Sequence, residues 1–193
     1  MARTPSTMLP LGTPAPDFRL LDVVTGKWFS RDDIAGPKGL LLMFICRHCP
    51  FVKHLELELA RIGRDYQSSG IGMAAICAND ASNPKYAEDA PDLLAEQASR
   101  CAFPFPYLYD ETQLTALAYH AACTPDFFLF DGQGRLAYRG QLDATRPGSP
   151  EPVTGVDLRA ALDAVRDGLP PSTNQFPSLG CNIKWKPGNE PRV

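Results

Sequence analysis

Four consecutive residues, Cys46-Arg47-His48-Cys49, bring two thiols within reach of each other. They lie where a run of apolar residues ends and a helical pattern begins. Residues three apart in the first turn of a helix approach to about 5–6 Å, within the Cα separation that a disulfide tolerates. This spacing predicts that Cys46 and Cys49 form and break a bond with little backbone movement, which is the chemistry of thiol–disulfide exchange.

The neighbouring residues favour a reactive Cys46. Unpaired backbone N–H groups and the positive end of the helix dipole are expected to face its sulfur. Arg47 adds a fixed positive charge and His48 a pH-dependent one. We therefore expect the pKa of Cys46 to lie below the usual thiol value of about 8.5, which makes the pair more oxidising. Pro50 fits the first helical turn, because its missing N–H costs no hydrogen bond there.

A zinc site is the structural alternative for such a cysteine pair. The sequence has no second CxxC, and neither His48 nor His54 completes a known tetrahedral spacing. We therefore predict that the site holds no metal and that the protein needs no cofactor.

A buried strand and an amphipathic helix must hold this motif. Residues 40–46 form an uninterrupted apolar run after a Gly-Pro turn, which is typical of a strand covered on both faces. From residue 50 to about 68, apolar residues recur at three- and four-residue steps, the pattern of one helix face. The other predicted strands are 18–22, 27–30, 72–78, 107–109, 127–131 and 135–138, and the other predicted helices are 91–101, 113–122 and about 154–165.

Length and composition limit the class of protein. The chain has 193 residues, 44% of them apolar, and a formal net charge of −3. These values predict one packed core, exclude disorder throughout and argue against a nucleic-acid partner. No apolar run reaches the roughly 18 residues of a membrane span, so no membrane partner is expected. The first ten residues lack the apolar core of a secretory signal, which predicts a cytoplasmic location.

Strands that alternate with helices and end in an antiparallel hairpin predict an α/β fold, with a central mixed sheet flanked by helices and an N-terminal strand extension. We expect an irregular arm at residues 1–16, one domain at 17–167, and a tail at 168–193 that packs on the domain. The tail is expected to be irregular, because it is rich in proline and has no helical or alternating pattern. The sequence makes no prediction about oligomeric state.

Four segments carry a resemblance to a known family. They are residues 43–53 around the two cysteines, 123–130 beginning Cys-Thr-Pro-Asp, 138–142 (Tyr-Arg-Gly-Gln-Leu), and 180–187 (Gly-Cys-Asn-Ile-Lys-Trp-Lys-Pro). Together they resemble the peroxiredoxin-like branch of the thioredoxin superfamily, within the alkyl hydroperoxide reductase/thiol-specific antioxidant group. The resemblance covers nearly the whole chain and implies a thioredoxin-like fold.

The resemblance also implies roles for individual residues. Cys46 matches the nucleophilic cysteine and Cys49 the resolving one. Pro125 matches the cis-proline beside the disulfide, and Thr124 matches the residue that offers its backbone to a substrate. The implied activity is that of a thiol–disulfide oxidoreductase, acting on protein or small-molecule disulfides with a thiol reductant.

Two other functions remain open. In a peroxiredoxin-like antioxidant peroxidase, Cys46 would be oxidised to a sulfenic acid. The sulfenic acid would then form a disulfide with Cys49 or Cys181. Peroxiredoxins carry a Thr or Ser three residues before the reactive cysteine, whereas here Met43 precedes Cys46 and Cys46 itself precedes Cys49 at that distance. A copper carrier would bind its metal through the cysteine pair. The copper chaperones of the superfamily, however, space their cysteines as CxxxCP.

The sequence leaves two interpretations open for Cys123 and Cys181 and favours a structural role for the other cysteines and for residues 79–80. Cys123 is either an extra redox thiol or a small packing residue, and Cys181 is either a third redox thiol or an unpaired tail cysteine. Cys77 and Cys101 are predicted to be inert core residues. Residues 79–80 follow the second apolar strand and are predicted to form a solvated turn.

Overall fold

Ten strands form two sheets in the computed structural model, which describes residues 3–191. The strands are β1 (Arg3–Pro5), β2 (Arg19–Asp22), β3 (Trp28–Ser30), β4 (Gly39–Phe44), β5 (Ile71–Cys77), β6 (Tyr107–Tyr109), β7 (Cys123–Thr124), β8 (Asp126–Asp131), β9 (Leu136–Tyr138) and β10 (Leu179–Asn182). The larger sheet has the strand order β3-β2-β6-β5-β4-β8-β9, and the smaller one has the order β1-β10-β7. Because β4 pairs parallel with β5 and antiparallel with β8, the larger sheet is mixed, as predicted.

Helices cover both faces of the larger sheet. They are α1 (Arg31–Ile34), α2 (Pro50–Asp65), α3 (Pro91–Cys101), α4 (Leu114–Ala118), α5 (Val156–Arg166) and a 3₁₀ helix, Pro84–Asp89. The predicted α/β fold is confirmed. No helix among residues 3–191 combines the length and the apolar character needed to cross a bilayer.

The central strand β4 is buried along its whole length because alternate side chains enter two separate cores. Leu41 and Met43 pack in the core that includes the inner faces of α2 and α5. Leu42 and Phe44 pack on the other side of the sheet, in the core that includes α4. A strand with apolar neighbours on both faces is a rigid support, and the functional motif follows it directly.

The tail and the arm are irregular over most of their described length, as predicted, but each contributes one short strand. Strand β10 lies in the tail and pairs antiparallel with β1 from the arm and with β7 from the domain. Strands this short have no readable alternation, and their partners are distant in sequence, so only the folded chain defines them.

Helix α4 is shorter than predicted, and two short helices, α1 and the 3₁₀ helix, were missed. Helix α4 replaces the helix predicted at 113–122, because Gln113 and His120 adopt left-handed backbone conformations, with φ of 65° and 48°. The 3₁₀ helix Pro84–Asp89 follows the loop predicted after β5, and the Asn83 side chain accepts a hydrogen bond from the backbone of Lys85 at its start.

Candidate functional site

The two cysteines of the motif occupy the predicted junction between a strand and a helix. Strand β4 ends at Phe44, and α2 begins at Pro50 with Cys49 as its N-cap residue. Proline in the first turn sacrifices no helical hydrogen bond. Cys46 and Cys49 are both 0% exposed. The two thiols are therefore built into the core of the protein, whereas Arg47 and His48 between them are partly exposed.

Both sulfurs face the residue that precedes a cis proline. The Thr124–Pro125 peptide bond is cis, which is what the resemblance implies. The Cys46 Sγ lies 3.1 Å from the Thr124 hydroxyl, and the Cys49 Sγ lies 3.1 Å from the Thr124 carbonyl oxygen. Asp126 follows in the core and pairs with the buried Arg139 at 3.2 Å, which anchors the start of β8. The fold thus brings together residues 46, 49 and 124–125, as the sequence predicted.

A third cysteine joins them from the tail. Cys181 lies in β10, and its sulfur is 2.8 Å from the Cys49 sulfur. We call Cys46, Cys49 and Cys181 the thiol cluster. Cys123 is close in sequence to Thr124, but its thiol donates to the Pro125 carbonyl at 3.4 Å and has no hydrogen bond with another sulfur of the described chain. These contacts favour packing for Cys123 and distinguish it from Cys181.

A buried carboxylate orders the two residues between the cysteines. Asp89, at the end of the 3₁₀ helix, is fully buried and accepts the backbone N–H groups of Arg47 and His48 at 2.8 and 3.1 Å. Its other oxygen accepts from His48 Nδ1 at 2.5 Å and from the Asn79 amide at 2.8 Å. Burial acts to raise the pKa of Asp89, but the bonds from His48 and Asn79 outweigh it, so the pKa is lowered.

Sequence reasoning missed Asp89 and misjudged Asn79. Asp89 stands beside an exposed acid, Glu88, and nothing in their spacing distinguishes the buried member of the pair. Asn79 was predicted to lie in a solvated turn, yet it is buried, because it donates to Asp89 and accepts the Lys184 backbone N–H at 2.8 Å. It thereby connects the active-site loop to the tail.

The pKa shifts in the thiol cluster differ from those predicted. Burial raises the pKa of Cys46, and its hydrogen bond to Cys49 and the nearby Asp89 carboxylate add to that effect. Hydrogen bonds from Cys181 and Cys46 lower the pKa of Cys49 and outweigh the effect of burial, although the Thr124 carbonyl faces its sulfur. The expectation of a low pKa at Cys46 is therefore wrong.

Two groups of contacts explain why the pKa of Cys46 is not lowered. The backbone N–H groups of residues 47 and 48, which were expected to face the Cys46 sulfur, donate instead to Asp89. The side chains of Arg47 and His48 are also directed elsewhere, since the Arg47 guanidinium lies 3.5 Å from Glu96 and the His48 ring bonds to Asp89. These side chains therefore interact with carboxylates, and the pKa of Cys49 is lowered by the neighbouring thiols.

The Thr124 edge, predicted to receive substrate backbone, is occupied by the chain itself. Strand β10 pairs with β7 so that Cys181 stands opposite Thr124. The backbones approach closely at Gly180, where an added Cβ would lie 2.0 Å from the Thr124 carbonyl oxygen. A peptide substrate would have to displace β10 in order to pair with this edge.

The three sulfurs of the thiol cluster are shielded from solvent, since Cys46 and Cys49 are 0% exposed and Cys181 is 2% exposed, and none of them lines the small pocket beside Pro125. The pocket bordered by Phe51, Pro125 and Leu179 has a volume of about 10 Å³, which is close to that of one water-sized probe. A groove of about 730 Å³ is lined by Leu11, Lys38 and Leu169 and lies away from the cysteines. Cavity size therefore does not locate the chemistry of this protein.

One set of side chains has the composition of a metal site. Cys46 Sγ, a ring nitrogen of His48 and an oxygen of Asp89 lie within 4.8 Å of one another. However, His48 Nδ1 and Asp89 Oδ2 are 2.5 Å apart, whereas two ligands of one tetrahedral zinc ion lie about 3.3 Å apart. The arrangement fits a hydrogen bond better than a metal, and the absence of a metal stays a prediction.

Comparisons with known proteins agree with this geometry. Residues 11–139 match the AhpC/TSA family. No curated protein matches the chain. An uncharacterised conserved protein from Geobacillus kaustophilus is 49% identical, with a TM-score of 0.94 over 97% of this chain and 98% of that one. A hypothetical protein from Sinorhizobium meliloti 1021 is 44% identical, with a TM-score of 0.92 over 96% of this chain and 100% of that one.

More distant structures share the fold. One is described as a putative thiol:disulfide interchange protein DsbE from Chlorobium tepidum. It is 20% identical and has a TM-score of 0.55 over 68% of this chain and 84% of that one. At this identity the similarity establishes the thioredoxin-like fold and does not extend to the activity.

Proposed function

The chain belongs to the AhpC/TSA family, and on that premise we propose that it is a thiol–disulfide oxidoreductase with Cys46 and Cys49 as its redox pair. The observation that carries the proposal is that both sulfurs meet at Thr124, beside a cis proline and at the start of α2. Two thiols that both contact Thr124 at a fixed junction need little movement to form a disulfide.

The cluster provides its own base for the first step. As Cys46 Sγ attacks one sulfur of a substrate disulfide, its proton passes to the Cys49 thiolate. The other substrate sulfur leaves and takes that proton, which restores the Cys49 thiolate. Cys49 then attacks Cys46 Sγ, forms the Cys46–Cys49 bond and releases the second substrate sulfur as a thiolate. The substrate disulfide is reduced, the cysteine pair is oxidised, and a thiol reductant returns the pair to its starting state.

The proposed partners follow from access to the sulfurs. Small-molecule disulfides need only a local opening of the chain over the buried sulfurs, because Cys46 and Cys49 are 0% exposed. Protein disulfides need in addition the displacement of β10 from the Thr124 edge. We therefore propose that small disulfides react faster than folded protein disulfides. The cytoplasmic location stays a prediction.

A trapping experiment tests the redox pair. In Cys49→Ser, oxidised glutathione should leave a stable mixed disulfide on Cys46, because the resolving sulfur is absent. Peptide mapping after an acid quench locates the adduct, and Cys46→Ser/Cys49→Ser is the control that should remain unmodified. An adduct on Cys123 or Cys181 with Cys46 free would contradict the assignment.

A thiol peroxidase is the second candidate, and one contact favours it. The hydroxyl missing from the position three residues before Cys46 is supplied from another strand, since Thr124 Oγ1 lies 3.1 Å from Cys46 Sγ. A hydroxyl there is placed to bind a peroxide oxygen beside the sulfur. Thr124→Val should then slow peroxide consumption at least about tenfold, the scale of losing one charge-assisted hydrogen bond, whereas Thr124→Ser should not. A wild-type rate no better than that of free cysteine would remove this candidate.

A further inference from the structure

Cys181 is held against Cys49 by the architecture of the tail. Its strand, β10, is bonded on both edges, with Cys181 opposite Arg3 of β1 and opposite Thr124 of β7. Cys181 is only 2% exposed. The lack of a side chain at Gly180 lets β10 approach the Thr124 carbonyl. The contact between the two sulfurs is thus fixed by backbone pairing on two sides and does not depend on a mobile tail.

The separation of the sulfurs is close to bonding distance. Cys49 Sγ and Cys181 Sγ are 2.8 Å apart, compared with about 2.0 Å in a disulfide. Cys49 therefore has two sulfur neighbours, Cys46 from its own loop and Cys181 from the tail. Each of them is in position to form a bond with it, and only one can do so at a time.

We propose that Cys181 is a third redox thiol, which replaces Cys46 as the disulfide partner of Cys49 by thiol–disulfide exchange. The relay rests on the proposed function, because the substrate disulfide oxidises the Cys46–Cys49 pair first. The Cys181 thiolate attacks Cys49 Sγ, the Cys46–Cys49 bond breaks, and the Cys49–Cys181 bond forms. Cys46 leaves as a thiolate and takes up the proton that Cys181 has lost. No electrons are gained or lost in this step, and Cys46 is again a free thiol.

The Cys181 thiol ionises more easily after the first disulfide has formed than in the reduced cluster. In the reduced cluster, the hydrogen bond to Cys49 raises the pKa of Cys181, and burial and the Cys49 charge raise it further. Once Cys49 is in a disulfide, it carries no charge and the first and third of these causes disappear. Lys184, which acts to lower the pKa of Cys181, remains. Formation of the first disulfide therefore helps to ionise the thiol that attacks it.

The direct test removes Cys46 so that only the second bond can form. Cys46→Ser, treated with one equivalent of diamide and then acid-quenched, should give a Cys49–Cys181 linkage by peptide mapping. Cys46→Ser/Cys181→Ser should lose this linkage, and the matched control Cys46→Ser/Cys123→Ser should keep it. Absence of the linkage in Cys46→Ser that retains a native circular dichroism spectrum would overturn the proposal, as would a Cys123–Cys181 linkage.

The wild-type protein tests the relay itself. After one equivalent of diamide, mapping at increasing delays should show both Cys46–Cys49 and Cys49–Cys181, in a ratio that becomes constant. In Gly180→Ala the new methyl group pushes β10 away from β7, so the Cys49–Cys181 share should fall while Cys46–Cys49 persists. A wild-type protein that contains only Cys46–Cys49 at every delay would overturn the relay. These linkages are measured without turnover, so failure of the proposed catalytic activity would be seen separately.

Discussion

The thiol cluster and the three remaining cysteines are equally buried but have different neighbours. Burial is the largest cause that raises the pKa of Cys77, Cys101 and Cys123, in the case of Cys101 to about 11, and a nearby carboxylate raises each pKa further. Cys49 is no more exposed, yet its pKa is lowered because two thiols donate to its sulfur. The comparison shows that the identity of the adjacent groups, and not exposure, decides the direction in which the pKa of a buried cysteine shifts in this protein.

Removal of the first sulfur of the thiol cluster is the strongest test of this comparison. In Cys46→Ser, catalysed reduction of insulin disulfides by dithiothreitol should fall at least about 1000-fold, because the nucleophile is lost. Cys77→Ala removes an equally buried sulfur from the adjacent strand β5 and should keep the wild-type rate. Equal losses in both variants would contradict the comparison, since they would make core packing the source of the activity.

Neutralising the carboxylate beside the cluster is expected to have the next largest effect. Asp89→Asn should lower the free energy of unfolding by about 2 kcal/mol, because hydrogen bonds to a buried charge become hydrogen bonds to a neutral amide. Urea unfolding of the reduced protein measures the change. The exposed neighbour serves as control, and Glu88→Gln should change the free energy by less than about 0.5 kcal/mol.

The same variant should show a defined dependence on pH. The pKa of Asp89 is lower in the folded protein than in the unfolded chain. Its contribution to stability is therefore complete above the unfolded value of about 3.9 and is lost as the pH falls through the folded value. The stability difference between wild type and Asp89→Asn should be large at pH 7 and shrink on acidification below about pH 4. A difference that grows in acid would show that the carboxylate is not held ionised.

The smallest effect is expected from the isolated cysteines. Cys77→Ala should lower the free energy of unfolding by only about 1 kcal/mol, the scale of a small cavity left by one sulfur atom. Thermal or urea unfolding measures this. A loss of several kcal/mol would indicate that Cys77 has polar partners, and the contrast with the thiol cluster would then be weaker.

The sequence was sufficient for the features that depend on nearby residues. The apolar run before Cys46, the helical spacing after Pro50 and the three-residue step between the cysteines predicted a buried strand, a helix and a redox pair. These signals arise because periodicity within one element reports which of its faces is buried. The central sheet and its flanking helices followed from the order of such elements, and the family resemblance assigned the cis proline.

The partners of the cysteines were decided only by tertiary structure. Cys181 reaches Cys49 across 132 positions, Asp89 reaches the loop across 42, and Thr124 reaches Cys46 across 78. No local pattern encodes which of several cysteines or acids will meet at such separations. The prediction of a low pKa at Cys46 failed for this reason, because a distant carboxylate took the backbone donors and a distant thiol lowered the pKa of Cys49. Local sequence determined where the proposed redox pair lies, and packing between distant segments determined its electrostatics.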